Sequence, residues 1–295
     1  MKFLSQLSNE TLVCSELQVK HYKELLKCSF GDEPNKLIFV ETICDICSTL
    51  TNKPATYFKK LSITDLFCLI LDIRINSIGD ICKIVVTKDE KQMNLDLRLD
   101  CIQEEIKTIY SLFDNSSIPF NNFEIILEYP SVERLLQETE EEYLYFIDKI
   151  HLNHNNQFIH LNNKEVQLLF DKIPPNVSLK IIKTFESVIN QISNKNFLSR
   201  YGINTQQLTF FPSLDSLIWF TKLIFSESLG TFYDNLFYLS HLGHLNAEYV
   251  ENSVVGEYNY FITCLQKVLA VKNNTQQSPD QFISDEEAGF IEEPV

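Results

Sequence analysis

Hydrophobic and polar positions follow two different periods along the first 130 residues. The apolar residues between Leu66 and Ile73 recur at the three- and four-residue spacing of one helical face. Ser62 stands three residues before Asp65, a spacing that predicts a capping box at the start of this helix. Gly79 can adopt a positive φ at little cost, so we expect the helix to end there.

After Gly79 the apolar period changes to two. Residues 81–87 and 93–99 flank the polar segment 88–92, which predicts an antiparallel hairpin. In the second of these strands apolar and polar residues alternate strictly, so one face is expected to be buried. A third strand is predicted over 123–129, ending at Pro130.

Beyond Pro130 the strand pattern is absent and helical spacing dominates. The predicted helices cover 132–149, 163–172, 177–193, 214–228, 231–242 and 257–271. The expected fold class is therefore α+β, with N-terminal helices and a small antiparallel sheet followed by a mostly α-helical C-terminal part. The polar segment 194–209 is expected to be a linker. Residues 273–295 contain acids and no base, and are expected to be a solvated tail.

Charge and glycine content exclude several classes of function. The chain has 25 Lys and Arg against 40 Asp and Glu, a net charge of −15. Such a surface repels phosphate backbones and anionic membranes, so we expect neither nucleic acid nor a membrane as a partner. The 7 glycines are too widely spaced to form a dinucleotide-binding or phosphate-binding loop. No apolar run approaches the length of a membrane span.

Residues with possible metal chemistry are few. Cys44 and Cys47 form a C-x-x-C pair, and H-x-x-H pairs occur at 151–154 and 241–244. A structural zinc site normally requires four such ligands, whereas the two cysteines lie in a helical apolar pattern that favours burial in the core. A zinc-dependent hydrolase built on these residues is one hypothesis. We expect instead no catalytic residues, no cofactor and no metal.

The region after residue 209 is unusually aromatic and contains the single Trp of the chain. Helices that are apolar around their whole circumference are buried in a core or against a partner. Core packing is expected for one face, and a partner surface for the other. The candidate partner-binding residues are Phe211, Trp219, Phe220, Phe232, Tyr233 and Phe237.

The segment from Leu61 to Gly79, with the Asp80 that follows it, resembles a pattern of T4-type phage baseplate hub and hub-assembly proteins. In that pattern an acid precedes an apolar helix, which ends in an Arg-x-x-Ser-x-Gly-acid step before a hairpin. The matching positions are Asp65, Arg74, Ser77, Gly79 and Asp80. We expect these residues to have a structural role at the end of the helix. A buried Arg74 would need a carboxylate partner, for which Asp65, Asp72 and Asp80 are candidates.

The resemblance covers most of residues 17–272 and implies a non-enzymatic protein of a contractile phage tail. Its implied partners are other phage baseplate hub or tail proteins and possible further copies of itself. Its implied location is the virion tail baseplate, or the host cytoplasm during assembly. A cytosolic assembly chaperone that is absent from the mature virion is the alternative.

The resemblance and the patterns together divide the chain into five parts. They are an α+β baseplate-hub-like domain at 1–130, a helical extension at 131–193, the linker at 194–209, a helical C-terminal domain at 210–272 and an acidic disordered tail at 273–295.

Overall fold

The computed structural model describes residues 2–29, 34–88, 91–113, 116–137, 141–153, 156–193 and 212–276. In the described residues the fold is mixed. The N-terminal part combines helices with small antiparallel sheets, and the elements described after residue 160 are all helices. This confirms the predicted fold class.

The helix α4 (Ile63–Ile78) lies at the centre of the molecule, and every residue from Ile63 to Arg74 is buried. Ser62 caps its N-terminus, where the Ser62 Oγ accepts a hydrogen bond from the Asp65 N–H at 3.1 Å. Gly79 caps its C-terminus with a φ of 126°. Both predicted ends are confirmed. A helix that is apolar on nearly all sides belongs inside a core, and α4 is packed on several sides.

Four other helices and two hairpins accompany α4 in the part of the chain described before residue 110. The helices are α1 (Val19–Cys28), α2 (Lys36–Thr51), α3 (Ala55–Lys59) and α5 (Leu99–Ile109). The first hairpin, β1 (Lys2–Gln6) with β2 (Thr11–Ser15), packs on α4 and was not predicted. The second, β3 (Ile81–Lys88) with β4 (Lys91–Arg98), is the predicted one, and along β4 the burial alternates as expected.

A four-stranded antiparallel sheet follows. Its strands lie in the order β5 (Ser117–Phe120), β6 (Phe123–Leu127), β7 (Ile147–Leu152) and β8 (Gln157–His160). Two of these strands come after Pro130, so the prediction that strands end there was wrong.

The helix predicted over 132–149 was also wrong. Among the described residues of that range only the short α6 (Val132–Leu135) is α-helical, and a 3₁₀ turn over 142–146 leads into β7. The register of β6 and β7 shifts at Asp148, which is the extra residue of a β-bulge. Because of the bulge, Ile147 and Ile150 lie on the same face of the sheet although they are three residues apart in the sequence. That spacing mimics a helical face and hides the strand period.

The remaining helices confirm the other predictions, with shifted ends. They are α7 (Asn163–Phe170), α8 (Pro175–Ser193), α9 (Leu214–Ile224), α10 (Leu229–His241), α11 (Ala247–Asn252) and α12 (Val255–Gln276). The short α11 was not predicted. Helix α12 continues into the segment predicted as an acidic tail, whose remainder from residue 277 lies outside the described residues. The linker predicted over 194–209 also lies outside the described residues.

Helices α9 to α12 pack directly on the N-terminal part. Helix α9 contacts α2 and α4, and the three later helices contact α1. Two backbone hydrogen bonds reinforce this contact: the Val19 N–H donates to the Ser253 carbonyl at 2.9 Å, and the Val255 N–H donates to the Leu17 carbonyl at 3.0 Å. The described parts of the N- and C-terminal regions therefore share one core.

Replacing Gly79 with alanine should destabilise the protein. The φ of 126° lies in a region that only glycine adopts readily, so the Gly79→Ala variant should lose about 1–3 kcal/mol of unfolding free energy. Urea denaturation measures this loss. Gly230→Ala is the matched control, because Gly230 lies within α10 and an added Cβ there meets only the Ser228 Oγ at 3.8 Å. The control should be as stable as the native chain or more so. Equal losses in the two variants would contradict this account of Gly79.

Candidate functional site

The motif residues of α4 hold other segments of the chain in place. The Asp65 carboxylate is buried and accepts hydrogen bonds from the Ser8 N–H at 2.8 Å and the Ser8 Oγ at 2.7 Å. The Ser62 Oγ also donates to it, at 2.9 Å. Asp65 therefore fixes the turn between β1 and β2 to the start of α4.

Arg74 is buried and binds backbone carbonyls. Its Nε donates to the Ile224 carbonyl at 2.8 Å, and its Nη1 donates to the Gly79 carbonyl at 2.7 Å. A longer bond of 3.4 Å joins its Nη2 to the Ile81 carbonyl. Burial lowers the pKa of this guanidinium.

The prediction that a carboxylate would pair with Arg74 was wrong. Asp65 binds Ser8 and Ser62. Asp72 accepts hydrogen bonds from the Ser5 Oγ at 2.7 Å and the Gln103 Nε2 at 2.6 Å. Three carbonyl dipoles take the place of the expected acid, and one of them belongs to the distant helix α9. The pairing of Asp72 with Ser5 and Gln103 was not foreseen, although its seven-residue spacing from Asp65 places both acids on one face of α4.

Ser77 and Asp80 complete the motif. The Ser77 Oγ accepts a hydrogen bond from the Leu17 N–H at 2.8 Å, and the Asp80 carbonyl accepts one from the Leu99 N–H at 2.8 Å. These hydrogen bonds join the end of α4 to the segment after β2 and to the start of α5.

The candidate aromatic residues fall into two groups. Phe220 and Phe232 are buried. The Phe220 ring lies 5.5 Å from that of Phe67, and the Phe232 ring lies 5.9 Å from that of Tyr22. We therefore correct their assignment from partner-binding to core. Phe211 lies outside the described residues.

Trp219, Tyr233 and Phe237 are exposed, by 40%, 46% and 55% of their surface. Tyr233, Phe237 and His241 are spaced by four residues along α10 and so share one face. The rings of Phe237 and His241 lie 4.1 Å apart in an edge-on arrangement. We call these three residues the α10 aromatic stripe.

The predicted metal-chemistry residues are scattered. Cys44 and Cys47 are buried in α2, and burial raises the pKa of the Cys44 thiol to about 11. His151 lies on β7 and His241 on α10, while His154 lies outside the described residues. Among the described residues, no group of three or more His, Cys, Asp or Glu side chains is arranged to hold a metal ion.

A groove of about 1300 Å³ separates the start of α4 from the polar face of the four-stranded sheet. Ionisable groups on that face are paired with one another. His160 Nδ1 lies 3.0 Å from the Asp148 carboxylate, and Lys149 Nζ lies 2.5 Å from the Glu128 carboxylate. The first pair joins β7 to β8, and the second joins β7 to the residue that follows β6.

Comparison with protein families decides the assignment of the chain. The model for the T4 bacteriophage base plate protein matches residues 2–199. The chain belongs to this base plate protein family. It matches no curated protein, and it matches no solved structure.

Family membership confirms the resemblance inferred from the Arg-x-x-Ser-x-Gly motif. It indicates a structural protein of the phage baseplate, with other phage baseplate proteins as its partners and the virion tail baseplate as its location. Proteins of this kind are typically non-enzymatic. No helix in the described part of this base plate protein is both long and apolar enough to span a bilayer.

The family match ends before α9, so α9 to α12 form a part of this base plate protein outside it. A polar cluster that sequence analysis missed lies within this part, next to α1. The Glu227 carboxylate accepts hydrogen bonds from the Asn235 Nδ2 at 2.8 Å and the Tyr258 hydroxyl at 3.2 Å, and Tyr22 of α1 lies close to it. Burial raises the pKa of Glu227. The sequence feature that could have indicated this cluster is the position of Glu227, an acidic residue between two aromatic helices.

Replacing Arg74 with methionine should destabilise this base plate protein strongly. The variant leaves three carbonyls without their donor, and we expect a loss of at least about 2 kcal/mol of unfolding free energy. Urea denaturation measures it. Arg98→Met is the control, because Arg98 is exposed and the loss of an exposed ion pair changes stability little. A small effect at Arg74 would show that its carbonyl contacts contribute little.

Replacing Glu227 with glutamine should make stability less dependent on pH. A raised pKa in the folded state means that the folded protein binds the proton more tightly than the unfolded one. The stabilisation that protonated Glu227 contributes is therefore fully present below its ordinary pKa of 4.5. It is lost as the pH rises through the raised pKa of the folded state. The advantage of Glu227→Gln over the native chain should grow across that interval. Unfolding free energies measured from pH 4 to pH 8 test this.

Glu248→Gln provides the control for this pH series, since Glu248 is exposed on α11. Its stability difference from the native chain should stay constant. An advantage of Glu227→Gln that shrinks as the pH rises would contradict the assigned direction of the pKa shift.

Proposed function

We propose that this base plate protein is a non-enzymatic component that takes part in building the baseplate hub of a contractile phage tail. It acts through protein-protein contacts, and the α10 aromatic stripe is the surface that makes them. The observation that carries the proposal is the exposure of Tyr233 and Phe237 on a helix whose other face is firmly anchored.

The anchoring comes from the buried side of α10. Phe232 and Leu239 are almost fully buried, and the Phe232 ring also lies 5.7 Å from the ring of Tyr258 on α12. The stripe is thus presented on a rigid support. Large aromatic rings that are fixed in place lose little conformational entropy on binding, which is why aromatic residues dominate the centres of interfaces.

Charge also fits a role among proteins. A net charge of −15 favours solubility and disfavours phosphate or anionic lipid surfaces, while it leaves an aromatic patch as the attractive part of the surface. Trp219 on α9 and Tyr260 on α12, which is 67% exposed, add further exposed aromatic area.

Two versions of this function differ in the fate of the protein. As a hub subunit it stays in the mature virion, and as an assembly chaperone it acts in the host cytoplasm and leaves. Mass spectrometry of purified virions distinguishes them: the subunit is found in the particle in fixed ratio to other baseplate proteins, and the chaperone is absent from it.

Removing the stripe should abolish capture of hub proteins from infected cells. We expect the tagged Tyr233→Ser, Phe237→Ser double variant to recover at least about tenfold less hub protein than the native chain, since loss of two central aromatic contacts exceeds 1.4 kcal/mol. Leu168→Ser is the matched control, because Leu168 on α7 is 56% exposed. Equal recovery by all three proteins would overturn the role of the stripe.

A further inference from the structure

The two edges of the four-stranded sheet differ in their protection. The β5 edge contains Pro119, which cannot donate to a further strand, and α8 packs against it. All four residues of β8 are exposed, and they include neither proline nor lysine. Edge strands usually carry such residues to prevent pairing with another chain. The β8 edge lacks them.

The hydrogen-bond pattern shows which groups face outward from β8. The Leu161 N–H donates to the Asp148 carbonyl at 3.0 Å, in the same register that sets Ile159 opposite Ile150. Bonded and non-bonded pairs alternate along an antiparallel ladder. Because Leu161 is hydrogen-bonded to β7, Ile159, two residues before it, is hydrogen-bonded to β7 as well. The backbone N–H and C=O groups of Phe158 and His160 therefore point away from the sheet.

An apolar row runs across the sheet to the same edge. Ile125, Ile150 and Ile159 lie opposite one another on β6, β7 and β8. Ile125 is fully buried, Ile150 is partly buried, and Ile159 is 38% exposed. The row thus begins in the core and ends at the open edge with its last side chain partly uncovered.

We propose that β8 pairs antiparallel with β8 of a second copy of this chain. Within the bounds of β8, only one register allows both outward-facing residues, Phe158 and His160, to form backbone hydrogen bonds with the second copy. It sets Phe158 opposite His160 of the second copy, in two symmetrical pairs with four hydrogen bonds. It also sets Ile159 against Ile159 of the second copy on the two-fold axis, which joins the two isoleucine rows.

Charge favours a second copy over an acidic or basic partner strand. Gln157, Phe158 and Ile159 are uncharged, and His160 is already beside the Asp148 carboxylate of its own copy. Two such strands meet without like charges in contact, although each chain has a net charge of −15. The pairing is isologous, so the same four residues supply both sides of the interface.

Sedimentation velocity of the purified full-length chain over a wide concentration range tests the proposal. We expect a reversible dimer in the native chain. Ile159→Lys places two ammonium groups side by side on the axis and should weaken dimerisation by about tenfold or more. Leu168→Lys is the control and should dimerise like the native chain, as should Phe237→Ser, whose site is on α10. A native chain that is monomeric throughout, or a dimer that is lost only in Phe237→Ser, would overturn the proposal.

Disulfide formation tests the register itself and does not depend on how well the lysine variant folds. Non-bonded antiparallel pairs have Cα atoms about 4.5 Å apart, within the range of a disulfide. Ile159→Cys should therefore give a covalent dimer on mild oxidation, at a yield well above that of the native chain and of Leu168→Cys. No excess of covalent dimer in Ile159→Cys would overturn the register. Because the hub role is tested by capture from infected cells, either idea can fail without the other.

Discussion

A helix that is buried on every side cannot carry polar side chains unless each of them finds a partner inside the protein. Helix α4 carries Asp65, Asp72, Arg74 and Ser77 in this situation. Leaving any one of them unpaired would cost its desolvation energy, which is larger than the net gain from an ordinary hydrogen bond. Hydrogen bonds to these four side chains come from four other parts of the chain, which are thereby held against α4. They are the β1–β2 hairpin, the segment after β2, helix α5 and helix α9.

Local signals allowed part of this arrangement to be predicted. Ser62 and Gly79 mark the ends of α4 because capping and a positive φ depend on residues that are neighbours in the sequence. The partners of Arg74 had no such signal. Every residue has a carbonyl, and the one from Ile224 lies 150 positions away. Strand β7 was hidden by its bulge. Phe232 and Tyr233 are adjacent, yet Phe232 is buried and Tyr233 is exposed. The sequence could not predict this difference, because the pattern of a helix that is apolar all round does not show which face meets the core.

The two faces of α10 illustrate how the fold serves the proposed function. Burial of Phe232 and Leu239 fixes the helix to α1 and α12, and the Glu227 carboxylate adds hydrogen bonds from Asn235 on α10 and Tyr258 on α12. A surface presented in this way is rigid before its partner arrives. Little of the binding energy is then spent on ordering it.

The hydrogen bond between Arg74 and the Ile224 carbonyl also has a consequence for folding during translation. A ribosome completes α4 long before it reaches residue 224, so for most of translation the Nε of Arg74 has no partner from α9. Contacts of such large sequence separation slow folding, since the intervening chain must be closed into a loop first. The family-matched part of the nascent chain therefore reaches its final packing only after the segment beyond that match has emerged.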